Sequence, residues 1–281
     1  MNWWHTLPER IDPTVFSLGF FSFSWYGVSF FLGASFSLLF LWKVIRRSER
    51  LSLSREEFFD LAVVILFGTV VGARIGYALL YNFPFFLNHP MALVSPFDPK
   101  TGEWIGIAGM SAHGGILGVF AAIFFFSWRY KKSPWSLLDM TALAAPVAIF
   151  FGRIGNFLAG ELFGRVTNVP WGMVFLRAGD GLLRHPSPLY EACGEGIVLW
   201  LLLCALSKKD MPPGFLFAWA LGLYGVIRFF LEFFREPDPQ IGFLFGFFTL
   251  GQALSLGMIL VSLGVGRWLR LQKNAILPHT D

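Results

Sequence analysis

The chain has 281 residues, of which 55% are hydrophobic and only 14% are charged, and its mean hydropathy is +0.60. Soluble domains carry about 25% charged residues, so this composition excludes a soluble globular enzyme, a disordered chain and a nucleic-acid-binding protein. The net charge of +4 is typical of the basic cytoplasmic loops of a membrane protein and does not by itself indicate an acidic partner. The sequence therefore predicts an all-α polytopic membrane protein without a separate soluble domain.

Apolar stretches long enough to cross a bilayer, about 20 residues each, recur from one end of the chain to the other. We predict seven transmembrane helices within a single integral membrane domain that covers residues 1–281. Their approximate bounds are 15–42, 58–81, 104–128, 137–157, 188–206, 214–234 and 240–266. The connection at about 159–187 is expected to form a small periplasmic cap, whose internal fold the sequence does not reveal.

Lysine and arginine residues alternate sharply between successive connections. Thirteen of them follow the first, third, fifth and seventh spans, six lie on the opposite side, and three lie inside spans. By the positive-inside rule the richer side faces the cytoplasm, which places the N-terminus outside and the C-terminus in the cytoplasm. An odd number of spans agrees with termini on opposite sides.

Charged and polar side chains interrupt several predicted spans, although a charge in the hydrocarbon core costs a few kcal/mol. At 1.5 Å per residue, four of them fall in the outer half of a ~30 Å slab. These are Arg74, His113, Arg153 and Arg228. Arg74 could instead extend toward the interface, so a structural role for it stays open. For the other three, a functional site is the preferred interpretation.

Two pairs of charged residues have i,i+4 spacing on predicted helices. Arg228 and Glu232 have opposite charges and could simply pair with each other. Glu191 and Glu195 repeat the spacing with like charges, which is unfavourable unless a cation lies nearby. This second pair predicts a basic partner from another part of the chain.

The densest group of polar residues and glycines occurs at the end of the fourth span, where residues 152–164 read GRIGNFLAGELFG. The planar fork of Arg153 suits a phosphate because it donates two parallel hydrogen bonds. Asn156 can hold an ester or hydroxyl oxygen, and Glu161 can orient the arginine or accept a proton. The glycines permit either close helix packing or close approach of a ligand. Together these residues predict an anion site at the outer interface, where a phospholipid head group is the natural ligand.

Segment 152–164 resembles the signature of bacterial prolipoprotein diacylglyceryl transferases, GRxGNFxNxExxG, where x is any residue. It departs at Ala159, where the family usually has asparagine. Further family-like stretches are Tyr26, 72–77, 113–115, 185–191 and 224–238. The resemblance therefore covers nearly the whole chain.

The resemblance implies an enzyme of the bacterial inner membrane with seven spans, an outside N-terminus and an active site toward the outer leaflet. The family transfers the diacylglyceryl group of phosphatidylglycerol to the lipobox cysteine thiol of a prolipoprotein signal peptide, as the first step of lipoprotein modification, and glycerol phosphate leaves. The implied partners are phosphatidylglycerol, the prolipoprotein and membrane lipid, with no nucleic acid and no cofactor. No metal is expected, since the sequence has no His/Cys/Asp cluster at ligand spacing.

By the same resemblance, ten residues are expected to form the site. The expected catalytic residues are Tyr26, His113, Arg153, Glu161 and Arg228. The residues expected to bind phosphatidylglycerol are Gly114, Arg153, Asn156, Gly164, Tyr224, Arg228 and Glu232.

The reaction needs a thiolate and a way to neutralise charge that grows on the phosphate. Arg153 and Arg228 suit the second task, and Glu232 is expected to hold the Arg228 fork in place. His113 suits the first, because histidine ordinarily titrates near neutral pH, and Glu161 is the alternative base. Tyr26 and Asn156 are expected to position the head group.

Two other protein classes and one other mechanism are possible from the sequence. A transporter or flippase of an anionic lipid predicts sites near the midplane and internal repeats, whereas here the polar groups lie outward and no repeat is visible. A structural scaffold does not explain the charge-interrupted spans. A two-step route through an enzyme thiol would need Cys193, which lies about 200° around the helix from Glu191 and Glu195. We therefore expect neither Cys193 nor Cys204 to react.

Overall fold

The computed structural model describes residues 3–19, 21–48, 51–97, 99, 101–102, 109–237, 243–244 and 248–276. Long apolar helices make up most of this part of the chain, as expected for an all-α polytopic membrane protein, and four short strands accompany them. The chain divides into two compact units, one formed by residues 1–44 and 138–281 and the other by residues 45–137.

The elements follow one another in a simple order. The first half contains α1 (Leu7–Arg10), β1 (Thr14–Leu18), β2 (Phe21–Ser24), α2 (Trp25–Arg46), α3 (Arg55–Leu80), α4 (Phe83–Asn88), a 3₁₀ turn (Pro90–Leu93) and α5 (Ala112–Tyr130). The second half contains α6 (Pro134–Leu158), a 3₁₀ turn (Leu176–Ala178), α7 (Ser187–Glu191), a π-helical segment (Ala192–Val198), α8 (Leu199–Leu206), α9 (Phe215–Leu231), β3 (Phe243–Leu244), β4 (Phe248–Thr249) and α10 (Leu250–Ile276).

Within the described residues, six helical stretches are long and apolar enough to cross a membrane. They are Trp25–Arg46, Arg55–Leu80, Ala112–Tyr130, Pro134–Leu158, Ser187–Leu206 and Leu250–Gln272. The predicted sixth span corresponds to α9, an apolar helix of 17 residues. The structure thus gives six candidate spans and one shorter apolar helix.

The predicted first and last spans begin too early in the sequence. Residues 21–24 read FSFS, a two-residue period that favours a strand, and this strand, β2, pairs with β1 in an antiparallel hairpin. Gly19 has a φ of +59° in its turn, and the Phe16 and Phe23 rings stack at 4.6 Å. The short hairpin of β3 and β4 likewise precedes α10. A hydropathy average assigns these residues to a span because it is not sensitive to how apolar and polar residues alternate.

The third and seventh predicted spans differ from the structure in a second way. Part of the predicted 104–128 span, residues 103–108, lies outside the described residues, and α5 begins at Ala112. At the other end of the chain, α10 continues through Arg267 and Arg270, which the prediction placed after the span. Arginine is a good helix former, so a charge ends the apolar stretch without ending the helix.

In the unit formed by residues 45–137, α3 and α5 pack through glycines. A Cβ atom added to Gly114 would collide with the backbone carbonyl oxygen of Gly72, and one added to Gly118 would collide with that of Gly68. The two backbones therefore touch directly, as small residues allow between membrane helices. The structure places Gly114, a predicted lipid contact, at this helix crossing.

This crossing gives a stability prediction. We expect Gly118→Ala to lower the thermal unfolding midpoint of the detergent-solubilised protein by several degrees, because overpacking costs roughly 1–3 kcal/mol. The matched control is Gly264→Ala on α10, where an added Cβ meets nothing within 4 Å. Equal midpoints for the two variants would contradict the direct backbone contact.

Arg74 holds the chain segments that precede α5. Its Nε donates to the carbonyl oxygen of Leu93 at 3.0 Å, its Nη2 to that of Ala92 at 2.6 Å and its Nη1 to that of Gly109 at 3.1 Å. The backbone N–H of Ser111 also donates to the carbonyl oxygen of Ala73, at 2.9 Å. The structure thus gives Arg74 the structural role that the sequence left open.

In the other unit, a buried carboxylate links α6 to α9. The backbone N–H groups of Gly214 and Phe217 each donate to Asp139 at 2.7 Å. Gly214 precedes α9 and has no side chain to cap it, so Asp139 satisfies N–H groups that the first turn of a helix leaves free. A cluster of leucines packs these helices beside it: Leu143, Leu199, Leu203 and Leu216.

Candidate active site

Two glycines bring the helix that carries Glu191 and Glu195 close to the helices that carry arginines. A Cβ added to Gly196 would lie 2.7 Å from Cβ of Phe150 on α6, and one added to Gly194 would lie 2.9 Å from Cδ1 of Leu231 on α9. Both glycines belong to the π-helical segment, a rare conformation that is frequent at functional sites. The glutamates therefore reach both neighbouring helices.

Arg153 of α6 and Arg228 of α9 each contact both glutamates. Arg153 Nη1 lies 2.9 Å from Glu191 and its Nη2 lies 3.0 Å from Glu195. Arg228 Nη1 lies 2.8 Å from Glu191 and 3.3 Å from Glu195. Both glutamates are 0% exposed. These arginines are the cations that the like-charge spacing of the glutamates requires.

Two further residues complete what we call the ion-pair network. Glu232 lies 2.5 Å from Arg228 Nη2, and Arg235 Nη1 lies 3.4 Å from Glu191. The six members are Arg153, Glu191, Glu195, Arg228, Glu232 and Arg235. Three positive and three negative groups balance, which offsets the large cost of removing charges from water. Arg153 has the most exposed side chain of the six, at 18%.

The network fixes the guanidinium groups without using all of their donors. A guanidinium carries five N–H groups, and Arg153 donates two of them to Glu195, from Nε and Nη2. Its Nη1 lies at ion-pair distance from Glu191 without a hydrogen bond to it. Both Nη atoms therefore keep donors that can meet an anion. Arginines oriented beforehand lose less freedom when they bind a phosphate, so the arrangement suits charge stabilisation during phosphate release.

Glu161 does not take the orienting role that the sequence suggested as one option. It forms an ion pair with Arg177 in the connection after α6, and both side chains are partly exposed. Glu191 and Glu195 orient Arg153 instead. Sequence reasoning left these two residues and Arg235 out of the predicted site, although the like-charge spacing of the glutamates was the available signal.

Asn156 lies one turn after Arg153 on α6, and Tyr26 lies at the start of α2, which packs against the same helix. A Cβ added to Gly155 would lie 2.9 Å from Cβ of Ser29 and 3.3 Å from Cα of Tyr26, so the first turn of α2 packs closely against α6. Asn156 is buried, and its backbone carbonyl oxygen accepts a hydrogen bond from the backbone N–H of Glu161 at 2.9 Å. Tyr26 is 43% exposed, which leaves its ring accessible.

The connection from 159 to 187 is compact and is joined to the segment after α9. Gly164 pairs with Arg235 in an antiparallel bridge, and its N–H donates to the carbonyl oxygen of His185 at 2.9 Å. A Cβ added to Gly164 would lie 2.6 Å from Cβ of His185, so no larger residue fits without a shift. Met173 and Phe175 of this connection form a small core with Phe157 at the end of α6.

Charges within this connection also pair. Arg184 Nη2 donates to Asp180 at 2.6 Å, and Arg184 Nη1 donates to the carbonyl oxygen of Gly164 at 3.1 Å. The hydrogen bond from Arg184 lowers the pKa of the Asp180 carboxyl. Partial burial lowers the pKa of His185, which favours its neutral form. The segment is therefore held by polar contacts as well as by its core.

The chain matches the model of the family "Prolipoprotein diacylglyceryl transferase" over residues 13–268. The chain belongs to this family. It is 43% identical over 258 residues to the phosphatidylglycerol–prolipoprotein diacylglyceryl transferase of Geobacter sulfurreducens, covering 90% of this chain and 94% of the relative. The enzyme of that name from Chlorobaculum tepidum is 40% identical over 270 residues, covering 95% and 93%. The family inferred by resemblance is confirmed.

His113, which the resemblance assigns to the site, falls in the unit formed by residues 45–137. The count that placed it in the outer half of a span assumed a start at 104, whereas α5 begins at Ala112 and His113 is its second residue. Ser111 caps this helix by accepting a hydrogen bond from the N–H of Gly114 at 3.3 Å. The imidazole is exposed and so is accessible to a proton donor.

Tyr224, a predicted lipid contact of the same family-like stretch as Arg228, lies on α9 one turn before that arginine. It is half-buried. The structure thus gathers Arg153, Asn156, Gly164, Arg228 and Glu232 around one end of α6 and α9, with Tyr26 packed beside them. The roles of all these residues stay predictions.

Proposed function

We propose that this chain transfers the diacylglyceryl group of phosphatidylglycerol to the lipobox cysteine thiol of prolipoproteins and releases glycerol phosphate, the first step of lipoprotein modification. Its membership of the family and the names of its relatives support the activity. The observation that supports an active site at the ends of α6 and α9 is the buried ion-pair network, in which Glu191 and Glu195 orient Arg153 and Arg228.

In the proposed reaction the cysteine thiolate attacks the carbon of the diacylglyceryl group that is bonded to the phosphate oxygen. The carbon–sulfur bond forms, the carbon–oxygen bond breaks, and glycerol phosphate leaves with the electron pair. Arg153 and Arg228 stabilise the negative charge that develops on the departing phosphate. Because the glutamates hold both guanidinium groups in place, little reorganisation is needed when that charge appears.

The thiol proton passes to a base, for which His113 and Glu161 are the two candidates. His113 is exposed at the start of α5 and belongs to a family-like stretch. Glu161 is close in sequence to Arg153 but is paired with Arg177. We favour His113, because its imidazole is exposed, whereas the Glu161 carboxylate is held in an ion pair with Arg177.

The remaining predicted residues are assigned to binding of the lipid head group. Tyr26 and Asn156 would position it beside Arg153, and Tyr224 and Glu232 would act near Arg228. Gly164 and Gly114 would contribute through close backbone packing, because both lie where an added side chain would collide with neighbouring atoms.

We infer seven spans, with α9 as the sixth, in the bacterial inner membrane. The charge asymmetry of the connections supports an outside N-terminus and a cytoplasmic C-terminus. Arg153 lies near the end of α6, Glu191 near the start of the next span, and Arg228 near the end of α9. In a chain that crosses alternately, these ends lie on the same side, which the charge count makes the outer one, with 159–187 as a cap there.

The test is a defined reconstitution. Purified protein in detergent or liposomes is incubated with phosphatidylglycerol and a lipobox peptide, and the diacylglyceryl mass is sought on the peptide thiol. A peptide with serine in place of the cysteine is the matched control. A transporter or a scaffold would leave both peptides unmodified, and that result from a folded preparation would reject the proposed function.

We expect a Cys193→Ala, Cys204→Ala double variant to keep most of its transferase activity. Cys193 is exposed, whereas Glu191 and Glu195 on the same helix are fully buried, so its thiol faces away from the ion-pair network. Activity is measured by peptide mass. Loss of activity in a folded double variant, together with a diacylglyceryl adduct on Cys193 of the unmutated protein, would refute direct transfer to the peptide.

A further inference from the structure

The carboxylate of Glu232 lies at the N-terminus of α10, between two helices. Thr249 immediately precedes α10 and donates its hydroxyl proton to Glu232 Oε1 at 3.0 Å. The other carboxylate oxygen, Oε2, lies 2.5 Å from Arg228 Nη2. The start of α10 and the end of α9 thus hold the two oxygens of one carboxylate.

The hydroxyl of Thr249 is itself held by a reciprocal cap. The backbone N–H of Gln252 donates to Thr249 Oγ1 at 3.2 Å, and the backbone N–H of Thr249 donates to Gln252 Oε1 at 3.0 Å. This is the capping box of a helix N-terminus. A hydroxyl has one proton and two lone pairs, so an Oγ1 that accepts from Gln252 remains able to donate to Glu232. Both side chains are only 2% exposed, which keeps water from competing.

Because Gly251 has no side chain, the Glu232 carboxylate can lie directly against it. A Cβ added to Gly251 would lie 2.5 Å from Cδ of Glu232 and 2.8 Å from its Oε2, well inside van der Waals contact. Any side chain at Gly251 would therefore push the carboxylate away from Thr249 and Arg228. The partial positive charge at the start of a helix also favours a carboxylate there.

We propose that Thr249 is a positioning residue for the transfer reaction, acting through Glu232 on the guanidinium of Arg228. Hydrogen bonds run from the Gln252 backbone through the Thr249 hydroxyl to Glu232 Oε1. An ion pair without an aligned hydrogen bond then joins Glu232 Oε2 to Arg228. The proposal rests on the proposed function, which assigns Arg228 to the departing phosphate. It adds the start of α10 to the parts of the chain that set the geometry of the site.

The first test separates holding Glu232 from merely capping α10. Asparagine and aspartate are nearly isosteric and both cap helices well, but only asparagine can donate a hydrogen bond to Glu232. We expect Thr249→Ser and Thr249→Asn to stay within about threefold of the unmutated turnover. Thr249→Asp and Thr249→Val should fall by about tenfold to a hundredfold, the range for hydrogen bonds to charged groups. If Thr249→Asp is as active as Thr249→Asn, the hydroxyl only caps the helix and the proposal is wrong.

The second test does not depend on transferase activity. The thermal unfolding midpoint is measured in detergent for Thr249→Val alone, for Glu232→Met alone, which removes the acceptor at similar side-chain length, and for the double variant. If Thr249 acts through Glu232, its substitution shifts the midpoint less when the carboxylate is already absent, since residues in contact are not additive. Equal shifts in both backgrounds would overturn the Thr249–Glu232 link.

Two glycine variants test whether the Glu232 carboxylate needs the space beside Gly251. Gly251→Ala should lower both turnover and the unfolding midpoint, whereas Gly257→Ala on the same helix should change neither, because its added Cβ meets nothing within 4 Å. Equal behaviour of the two variants would contradict the close packing of Glu232. If the unmutated protein modifies no peptide, the proposed function fails, while the midpoint measurements still decide whether Thr249 holds Glu232.

Discussion

Replacing either Arg153 or Arg228 with lysine should reduce diacylglyceryl transfer at least about a hundredfold while the protein still folds and inserts. Lysine keeps the positive charge, so Glu191 and Glu195 are not left as uncompensated buried charges. It cannot reproduce a planar fork that contacts two carboxylates and still offers donors to a phosphate. Losing one preorganised donor to a developing anion costs about 10²–10³ in rate. Turnover of the lipobox peptide, measured by mass, checks the prediction.

The matched control for these variants is Arg270→Lys, an exposed arginine on α10 outside the ion-pair network. It should leave turnover unchanged. Arg153→Ala and Arg228→Ala should unfold at markedly lower temperature than the lysine variants, because removing one partner of a buried ion pair costs about 3–5 kcal/mol. Near-normal turnover in both lysine variants would show that neither guanidinium needs its fork geometry.

The helical, multi-span character of the chain was predictable because hydropathy is summed over long windows. What these sums cannot register is the period of the apolar pattern. The phenylalanine–serine alternation at 21–24 marks one strand of a hairpin, yet residues 14–24 carry no charge and so are counted as part of a span. Likewise the charge of Arg267 ended the predicted seventh span, whereas α10 continues to Ile276. Errors of about ten residues at the span ends have this origin.

For the site, sequence reasoning found the residues whose presence in a membrane is costly. Arg153 and Arg228 were identified in this way, and Glu232 by its spacing from Arg228 and by the family resemblance. The structure brings the three into one network. The partners of Arg153 could not be assigned, because Glu191 and Glu195 are about 40 residues away and reach it only through close packing at Gly194 and Gly196.

The contacts of the Glu232 carboxylate could not be predicted from the sequence either. It depends on a helix start at Leu250, which the predicted span boundary at 240 placed ten residues too early. With the helix beginning there, Thr249 becomes its cap and Gly251 faces the carboxylate. The contact between Thr249 and Glu232 can therefore be recognised only when the start of α10 is known from the structure.

His113→Gln should reduce the rate of transfer by about 10²–10⁴, the usual contribution of a positioned general base. Glutamine retains a hydrogen-bonding side chain of similar reach but does not take up a proton. His113 is exposed at the start of α5, so the substitution should change the unfolding midpoint little. The loss should therefore appear in turnover, with binding of phosphatidylglycerol largely intact.

The dependence of that loss on pH separates a base from a positioning group. A free cysteine thiol has a pKa of about 8.5, so at higher pH the peptide arrives already ionised and needs no base. If His113 is the base, the rate of His113→Gln should rise toward that of the unmutated protein as the peptide thiol ionises. His89→Gln, in the same unit but outside the proposed site, is the matched control. A loss of equal size at every pH, with Glu161→Gln showing the pH-dependent recovery instead, would make Glu161 the base and leave His113 a positional role.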